Sequence, residues 1–429
     1  GEGLSDQRTA SMPQWVDSEP NNCMTAPARR KWEHANQDSE IVTPATRRGS
    51  EEVERDELLA TITGPTNNVT EVLPFKLSFA IHDNVEHTRE MIKENPALHY
   101  FSTTHHECAS TLIPDCNPSL GSIVQFCQEV RERLEDARIS NRHFIYYCYA
   151  KKRHVANSAL LLACYLVLEK GWDAARAAQR FASLDQVAPT QGLTLFDHLS
   201  GLQRAQNSGF LSLNDFDKHE YDFLQQKRMH FVCPKFAALH DPVDALDQYL
   251  QIFNAYDIST VVRLNGSRTY AKNKFVDAGI SHYDLYFKDG TAPSLKLVEQ
   301  FLGICKQEDV IAVHCIAGLG RTGTLIAVWI MREYSWTARD AIAWLRMVRP
   351  GSINDVQYSF LLRYESLVRN YCHNIPDPNV FLTRDLSPES SPDQDVRVHR
   401  VAWQSCPLDS ATSELSSGSG SDDSGSASL

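Results

Sequence analysis

The sequence predicts an α/β fold built from two similar domains in tandem. Each is a central sheet flanked by helices, and disordered N- and C-terminal tails enclose the pair. Three observations carry this. About 300 residues in the middle of the 429-residue chain alternate short β-type runs with helix-type runs, the pattern of α/β layers. One strand–loop–helix–turn–helix unit occurs twice. Both ends lack a sustained apolar period, so ordering them would cost more entropy than burial returns.

Residues 1–72 are read as the first tail, with Trp15 and Trp32 its only aromatics. The first domain spans 75–205. It holds a helix pattern over Ile123–Leu134, a strand over Phe144–Tyr147, and helices over Val155–Glu169 and Asp173–Phe181. A polar, helix-prone connector fills 206–229. The second domain spans 230–372. Strands are expected over Thr260–Leu264, His282–Phe287 and Val310–His314, with helices over Leu295–Cys305, Thr324–Tyr334 and Ala338–Met347. From 373 to 429 the chain turns acidic and Ser-rich, with nine acidic residues against three basic ones. Thr43-Pro44, Ser387-Pro388 and Ser391-Pro392 are proline-directed sites in these tails, which points to a regulatory use.

The repeat pairs Phe144–Cys148 with Ile311–Cys315, and Trp172-Asp173-Ala174 with Trp336-Thr337-Ala338. The tryptophans stand 164 residues apart and the cysteines 167, so the copies differ by three residues around the strand–helix loop. Only the second copy carries chemistry. Cys148 follows Tyr147, Arg153 arrives one residue early, and no glycine lies between them.

A net charge of −12 argues against a nucleic-acid binder. The longest apolar runs, such as Ala159–Leu168 and Leu325–Met331, fall short of the ~18–20 residues of a membrane span. No signal peptide is read at the start. Eleven cysteines at irregular spacings, without a CxxC, fit neither a disulfide framework nor structural zinc. The composition is that of an intracellular protein, nuclear or cytoplasmic, in which most cysteines are small core residues.

The exception is Val313-His314-Cys315-Ile316-Ala317-Gly318-Leu319-Gly320-Arg321-Thr322-Gly323, between a buried strand and an apolar helix. Five residues between Cys315 and Arg321 let the backbone curl until its N–H groups converge on a phosphate. Ile316, Ala317, Gly318, Leu319, Gly320 and Arg321 are the phosphate-binding set, with Gly318, Gly320 and Gly323 giving freedom and close approach. The following helix adds its N-terminal dipole, and Arg321 can grip two phosphoryl oxygens. Such a field lowers a thiol pKa from ~8.5 to ~3.5–7.5 and makes Cys315 a thiolate nucleophile. His314 is expected to orient the loop, and the Thr322 hydroxyl to stabilise the sulfur as it leaves. The Gly318-x-Gly320-x-x-Gly323 spacing also fits a dinucleotide loop, but Asp340, at the acid's expected distance, falls in a helix pattern.

Asp289 is the candidate general acid. It lies in the loop Phe287–Ser294, just past a strand, and one helix and one strand then lead to Cys315. That connection returns both loops to one edge of the sheet.

These residues, with Val261–Asn265, Tyr270, Asp277-Ala278-Gly279, His282–Asp284 and Arg349-Pro350-Gly351-Ser352, resemble the cell-division-cycle-fourteen dual-specificity protein phosphatases. Weaker likeness continues in the first domain at His99–Ser102, Ala156-Asn157 and Gly209-Phe210. The resemblance implies two dual-specificity-phosphatase-like domains with chemistry only in the second. It implies hydrolysis of phosphoprotein esters, chiefly phosphoserine before proline, through a phosphocysteine intermediate without metal or other cofactor. Its partners would be targets of proline-directed kinases, in cell-cycle roles. Gln357 matches a family glutamine that positions water. Ile316 stands where relatives usually carry Lys, and Tyr358 where a second Gln usually follows. Asp173-Ala174-Ala175 lacks an acidic pair, while Asp215, Asp217, Glu220 and Asp222 remain as candidates to meet basic substrate residues. A phosphoinositide phosphatase and a silent phosphopeptide-binding scaffold are the alternatives. The uncharged loop argues against the first, since several phosphates would call for lysines there.

Overall fold

A computed structural model of the chain describes residues 69–104, 117–184, 192–267 and 269–374. The first domain opens with a hairpin. β1 (Val69–Leu73) pairs antiparallel with β2 (Leu77–His82) around a turn in which Phe75 takes φ +56°. The tail expected over 1–72 therefore ends before β1, because the ladder satisfies this segment's backbone and buries Val72. The rest of that tail and residues 375–429, with all three proline-directed sites, lie outside the described residues.

Then follow α1 (Val85–Glu94), β3 (His99–Phe101), α2 (Leu120–Glu135), β4 (Phe144–Tyr149), α3 (Lys152–Leu168), α4 (Ala174–Gln179) and α5 (Leu195–Asn207). The sheet order is β1-β2-β4-β3, parallel apart from the hairpin. In the connector, the Asp217 side chain caps α6 (Lys218–Gln226) by accepting from the N–H groups of His219 and Glu220.

The second domain begins at β5 (Met229–Cys233) and β6 (Phe236–Leu239), again a hairpin. It continues through α7 (Leu246–Ala255), β7 (Thr260–Arg263), α8 (Asn273–Val276), β8 (Ser281–Asp284), α9 (Leu295–Gln307) and β9 (Ile311–His314). Three helices finish it: α10 (Gly320–Tyr334), α11 (Ala338–Val348) and α12 (Asp355–Asn374). The sheet order is β5-β6-β9-β7-β8. Its first four strands match β1-β2-β4-β3 in order and direction, and β8 is the addition.

Three expectations shift. The helix expected from Thr324 begins at Gly320, because the loop runs straight into its first turn. The strand expected to Phe287 leaves the ladder after Asp284, although Leu285 N still donates to Arg263 O at 2.9 Å. Helix α12, absent from the sequence reading, extends to Asn374 and so overlaps the start of the tail expected from 373.

One apolar cluster runs through both domains, from Phe79 and Phe126 through Leu161, Leu199 and Leu202 to Trp344, Ile330 and Phe236. A second lies on the other face of the catalytic sheet, around Phe253, Val261 and Phe275. The domains meet where α5 crosses α11. Both helices start with a capping box, Thr194/Asp197 and Thr337/Asp340. Each box's acid also receives an arginine from the opposite helix, Arg339 to Asp197 at 3.2 Å and Arg204 to Asp340 at 2.8 Å. At the crossing, a Cβ on Gly201 would lie 2.6 Å from Asp340 O. Gly201→Ala is therefore expected to lower stability by ~1–3 kcal/mol despite alanine's better helix propensity. Gly303→Ala on the open face of α9, where nothing lies within 4 Å, should raise it by up to ~1 kcal/mol. Urea midpoints of the two variants check this, and a Gly201→Ala midpoint at or above that of the parent would refute the close crossing.

Candidate active site

Strand β9 is wholly buried between β6 and β7, and it delivers Cys315 to the carboxyl edge of the sheet, where α/β folds place their sites. The loop that follows is held with its carbonyls turned away from the centre. Cys315 O accepts from His314 Nδ1 (3.1 Å), Ile316 O from Asp241 N (2.9 Å), Ala317 O from Arg349 Nη2 (3.3 Å) and Gly318 O from Arg349 Nε (3.0 Å). Among the described residues, no acceptor is found for the N–H groups of Ile316, Ala317, Gly318, Leu319 and Gly320. They form the open donor set of an anion nest at the start of α10.

Gly318 has φ +66°, and a Cβ there would sit 2.0 Å from Leu239 O, so no other residue fits. Gly320 and Gly323 serve only close approach, to the Gln357 amide and to Ile353.

Arg321 is 2% exposed. Its Nη1 is anchored on Leu264 O (3.1 Å) and Phe287 O (3.0 Å), while Nε and Nη2 make no hydrogen bond among the described residues. Asp289 Oδ1 approaches Nε to 3.0 Å, out of hydrogen-bond line. Two buried N–H groups on one rigid fork are thus held ready for a bidentate oxyanion. The Asp289 side chain is 70% exposed and sits at the mouth. Its loop is pinned from α12's start: Asn354 Nδ2 donates to Gly290 O (3.2 Å) and Gln357 Nε2 to Thr291 O (3.1 Å). The sequence-predicted Asp289, Cys315 and Arg321 loops therefore converge.

His314 is fully buried. A carbonyl can only accept, so Nδ1 carries the proton toward Cys315 O, and Nε2 accepts from the Tyr270 hydroxyl at 2.6 Å. Tyr270 in turn accepts from His282 Nε2 at 3.0 Å. Burial holds the His314 pKa down to about 3, so the ring is neutral and serves as a strut. The Thr322 hydroxyl is buried and has no hydrogen-bond partner among the described residues. Gln357, fully buried, lies between Gly320 and Thr291.

Sequence reasoning missed Asp241 and Asn354, and it names Asn265 only as the end of the Val261–Asn265 run. Asp241 accepts from Asn265 Nδ2 (2.6 Å) while its own N–H holds Ile316 O. No local motif marks Asp241, because it acts across the fold.

A tandem α/β body whose second sheet presents a Cys-x5-Arg cradle beside an aspartate loop defines the dual-specificity phosphatase class. The family described as dual specificity protein phosphatase, N-terminal half, matches residues 71–205, and dual specificity phosphatase, catalytic domain, matches 237–366. The dual specificity protein phosphatase CDC14A of Mus musculus is 33% identical over 334 residues, 70% of this chain and 55% of its own length. The tyrosine-protein phosphatase cdc-14 of Caenorhabditis elegans is 31% identical over 358 residues, covering 74% of this chain and 49% of that protein. The tyrosine-protein phosphatase CDC14 of Saccharomyces cerevisiae is 31% identical over 286 residues, covering 59% and 52%. The chain belongs to the CDC14-type dual-specificity phosphatases, and it spans about half the length of these relatives.

Proposed function

We propose that the chain is a cysteine-dependent protein phosphatase that hydrolyses phosphoserine, phosphothreonine and phosphotyrosine esters, favours Ser-Pro sites, and acts in cell division. The observation that carries this reading is the buried Arg321 guanidinium, anchored through Nη1 with Nε and Nη2 making no hydrogen bond among the described residues, beside a loop whose carbonyls from Cys315 to Gly318 are turned outward. In the proposed reaction the Cys315 thiolate attacks phosphorus, the P–O bond to the substrate breaks, and Asp289 gives its proton to the leaving oxygen. Water then attacks the phosphocysteine, Asp289 takes up its proton, and the sulfur leaves toward the Thr322 hydroxyl. The place of Gln357, between the Asp289 loop and Gly320, supports a role in aligning that water.

Ile316, 53% exposed at the rim, offers an apolar surface where a lysine would select for additional phosphates. This favours a singly phosphorylated side chain over an inositol phosphate. Two of the four connector acids are already engaged within the connector. Asp217 is occupied as a helix cap, and Asp222 is paired with Lys218 at 2.6 Å.

The test is kcat/KM on matched phosphopeptides. Ser-Pro peptides are expected to exceed Ser-Ala peptides by at least ~10-fold, or ~1.4 kcal/mol at the transition state. Equal rates would refute the proline preference, and no turnover of any phosphopeptide would refute the activity.

A further inference from the structure

Arg349 sits at the C-cap of α11, 6% exposed. A guanidinium this deep ordinarily faces a carboxylate. Here, among the described residues, no carboxylate lies within ion-pair distance. Its acceptors are all neutral: Gly318 O, Ala317 O, Arg228 O (3.2 Å) and His230 Nδ1 (3.0 Å). Two of these four are carbonyls of the phosphate loop. A carbonyl held outward fixes the peptide plane, so the N–H on the other side of that plane faces the cradle. Ala317 O and Gly318 O thereby set the directions of the Gly318 and Leu319 N–H groups.

Arg349 is itself held. The His230 ring packs on Tyr221 of the connector helix, with ring centroids 4.9 Å apart. Tyr221 lies against the first turn of α2, where a Cβ on Gly121 would meet its ring at 2.4 Å. A continuous series of contacts thus leads from the first domain to the loop that surrounds Cys315. Burial pulls the Arg349 pKa down to about 10, and the nearby Cys315 sulfur acts in the opposite direction, so the charge persists at neutral pH.

We propose that Arg349 is a positioning residue of the phosphate cradle, and that the first domain holds it in register through Tyr221 and His230. This rests on the proposed phosphatase function. It gives the first domain a part in the reaction that does not depend on touching substrate. The guanidinium replaces the water that would otherwise bond the loop carbonyls, and one rigid fork sets two peptide planes together. Misplacement of a reacting geometry by about 1 Å costs on the order of 100-fold.

The experiment uses the full chain, with p-nitrophenyl phosphate for turnover, tungstate as an oxyanion probe, and thermal midpoints for folding. Arg349→Met, which keeps the volume, is expected to lose about 100-fold in kcat and to weaken tungstate binding, beyond any loss of folded protein. Arg349→Lys should recover part of both, since an ammonium can reach one carbonyl but not fork to two. His230→Phe keeps the stacked ring and removes the acceptor. It should lower kcat about threefold to tenfold with little change in midpoint, and should add nothing further on top of Arg349→Met. His230→Phe also tests the proposal should Arg349→Met not fold. Wild-type kcat and tungstate affinity in folded Arg349→Met, a Lys variant no better than Met, or unchanged kcat in His230→Phe would each overturn it. Wild-type protein that neither turns over substrate nor binds tungstate would instead overturn the proposed function.

Discussion

Cys315→Ser is expected to abolish turnover, by at least ~10⁴-fold, while phosphopeptide binding persists. A serine hydroxyl needs a base to become a nucleophile. The adjacent His314 cannot serve, since both its ring nitrogens are engaged with Cys315 O and Tyr270 and its pKa lies near 3. Asp289 faces Arg321 across the mouth of the cradle. The groups that hold phosphate, Arg321 and the loop N–H set, do not involve the sulfur. Calorimetric titration with a phosphopeptide, beside a turnover assay, reads both halves. Residual activity above a trace would displace Cys315 as the nucleophile, and lost binding in folded protein would show the sulfur to be a structural part of the cradle.

Asp289→Asn should separate substrates by leaving group. An alkyl phosphoserine leaves as a poor alkoxide and needs the proton, whereas p-nitrophenolate does not. The expected loss is roughly 10²–10⁴-fold for phosphoserine peptides and much smaller for p-nitrophenyl phosphate. The pairing of Asp289 with Arg321 shapes this expectation. The carboxylate occupies the approach that a phosphate oxygen would take, so binding must move it from the guanidinium toward the leaving oxygen. An exposed side chain on a loop with Gly290 at φ +72° can make that shift while Asn354 and Gln357 keep the backbone in place. Equal losses on both substrates would mark Asp289 as a partner of Arg321 and nothing more.

The candidate site was legible because it is local. Cys315 through Arg321 lie within one turn of backbone, and the Asp289 loop is tied to them by a single helix and strand. The repeat was legible as well, since β4 and β9 each end in a cysteine before an apolar helix. What the sequence hid was long-range. Arg349 reads as the end of a helix, and only folding brings it under Ala317 and Gly318. Asp241 reads as a loop residue before Pro242, yet it fixes Ile316 and Asn265 together. β1 is a short edge strand of mixed polarity with little intrinsic signal, so it passed for tail until its pairing with β2 was seen. The glycines were grouped as one kind, but only Gly318 needs its positive φ, and the other two are distinguished by neighbours from distant segments.

The apolar cluster that passes from the first sheet through α5 and α11 into the second leaves the body without a seam. The expected outcome is a single cooperative unfolding transition for the pair, read by calorimetry. Selection for stability then acts on the first domain as strictly as on the second. A substitution in α3 or α5 that loosens packing lowers the standing population of intact Cys315 loops as surely as one beside the loop itself. The first domain can in this way be indispensable whatever its own chemistry, because the cluster it completes also packs the sheet that positions Cys315.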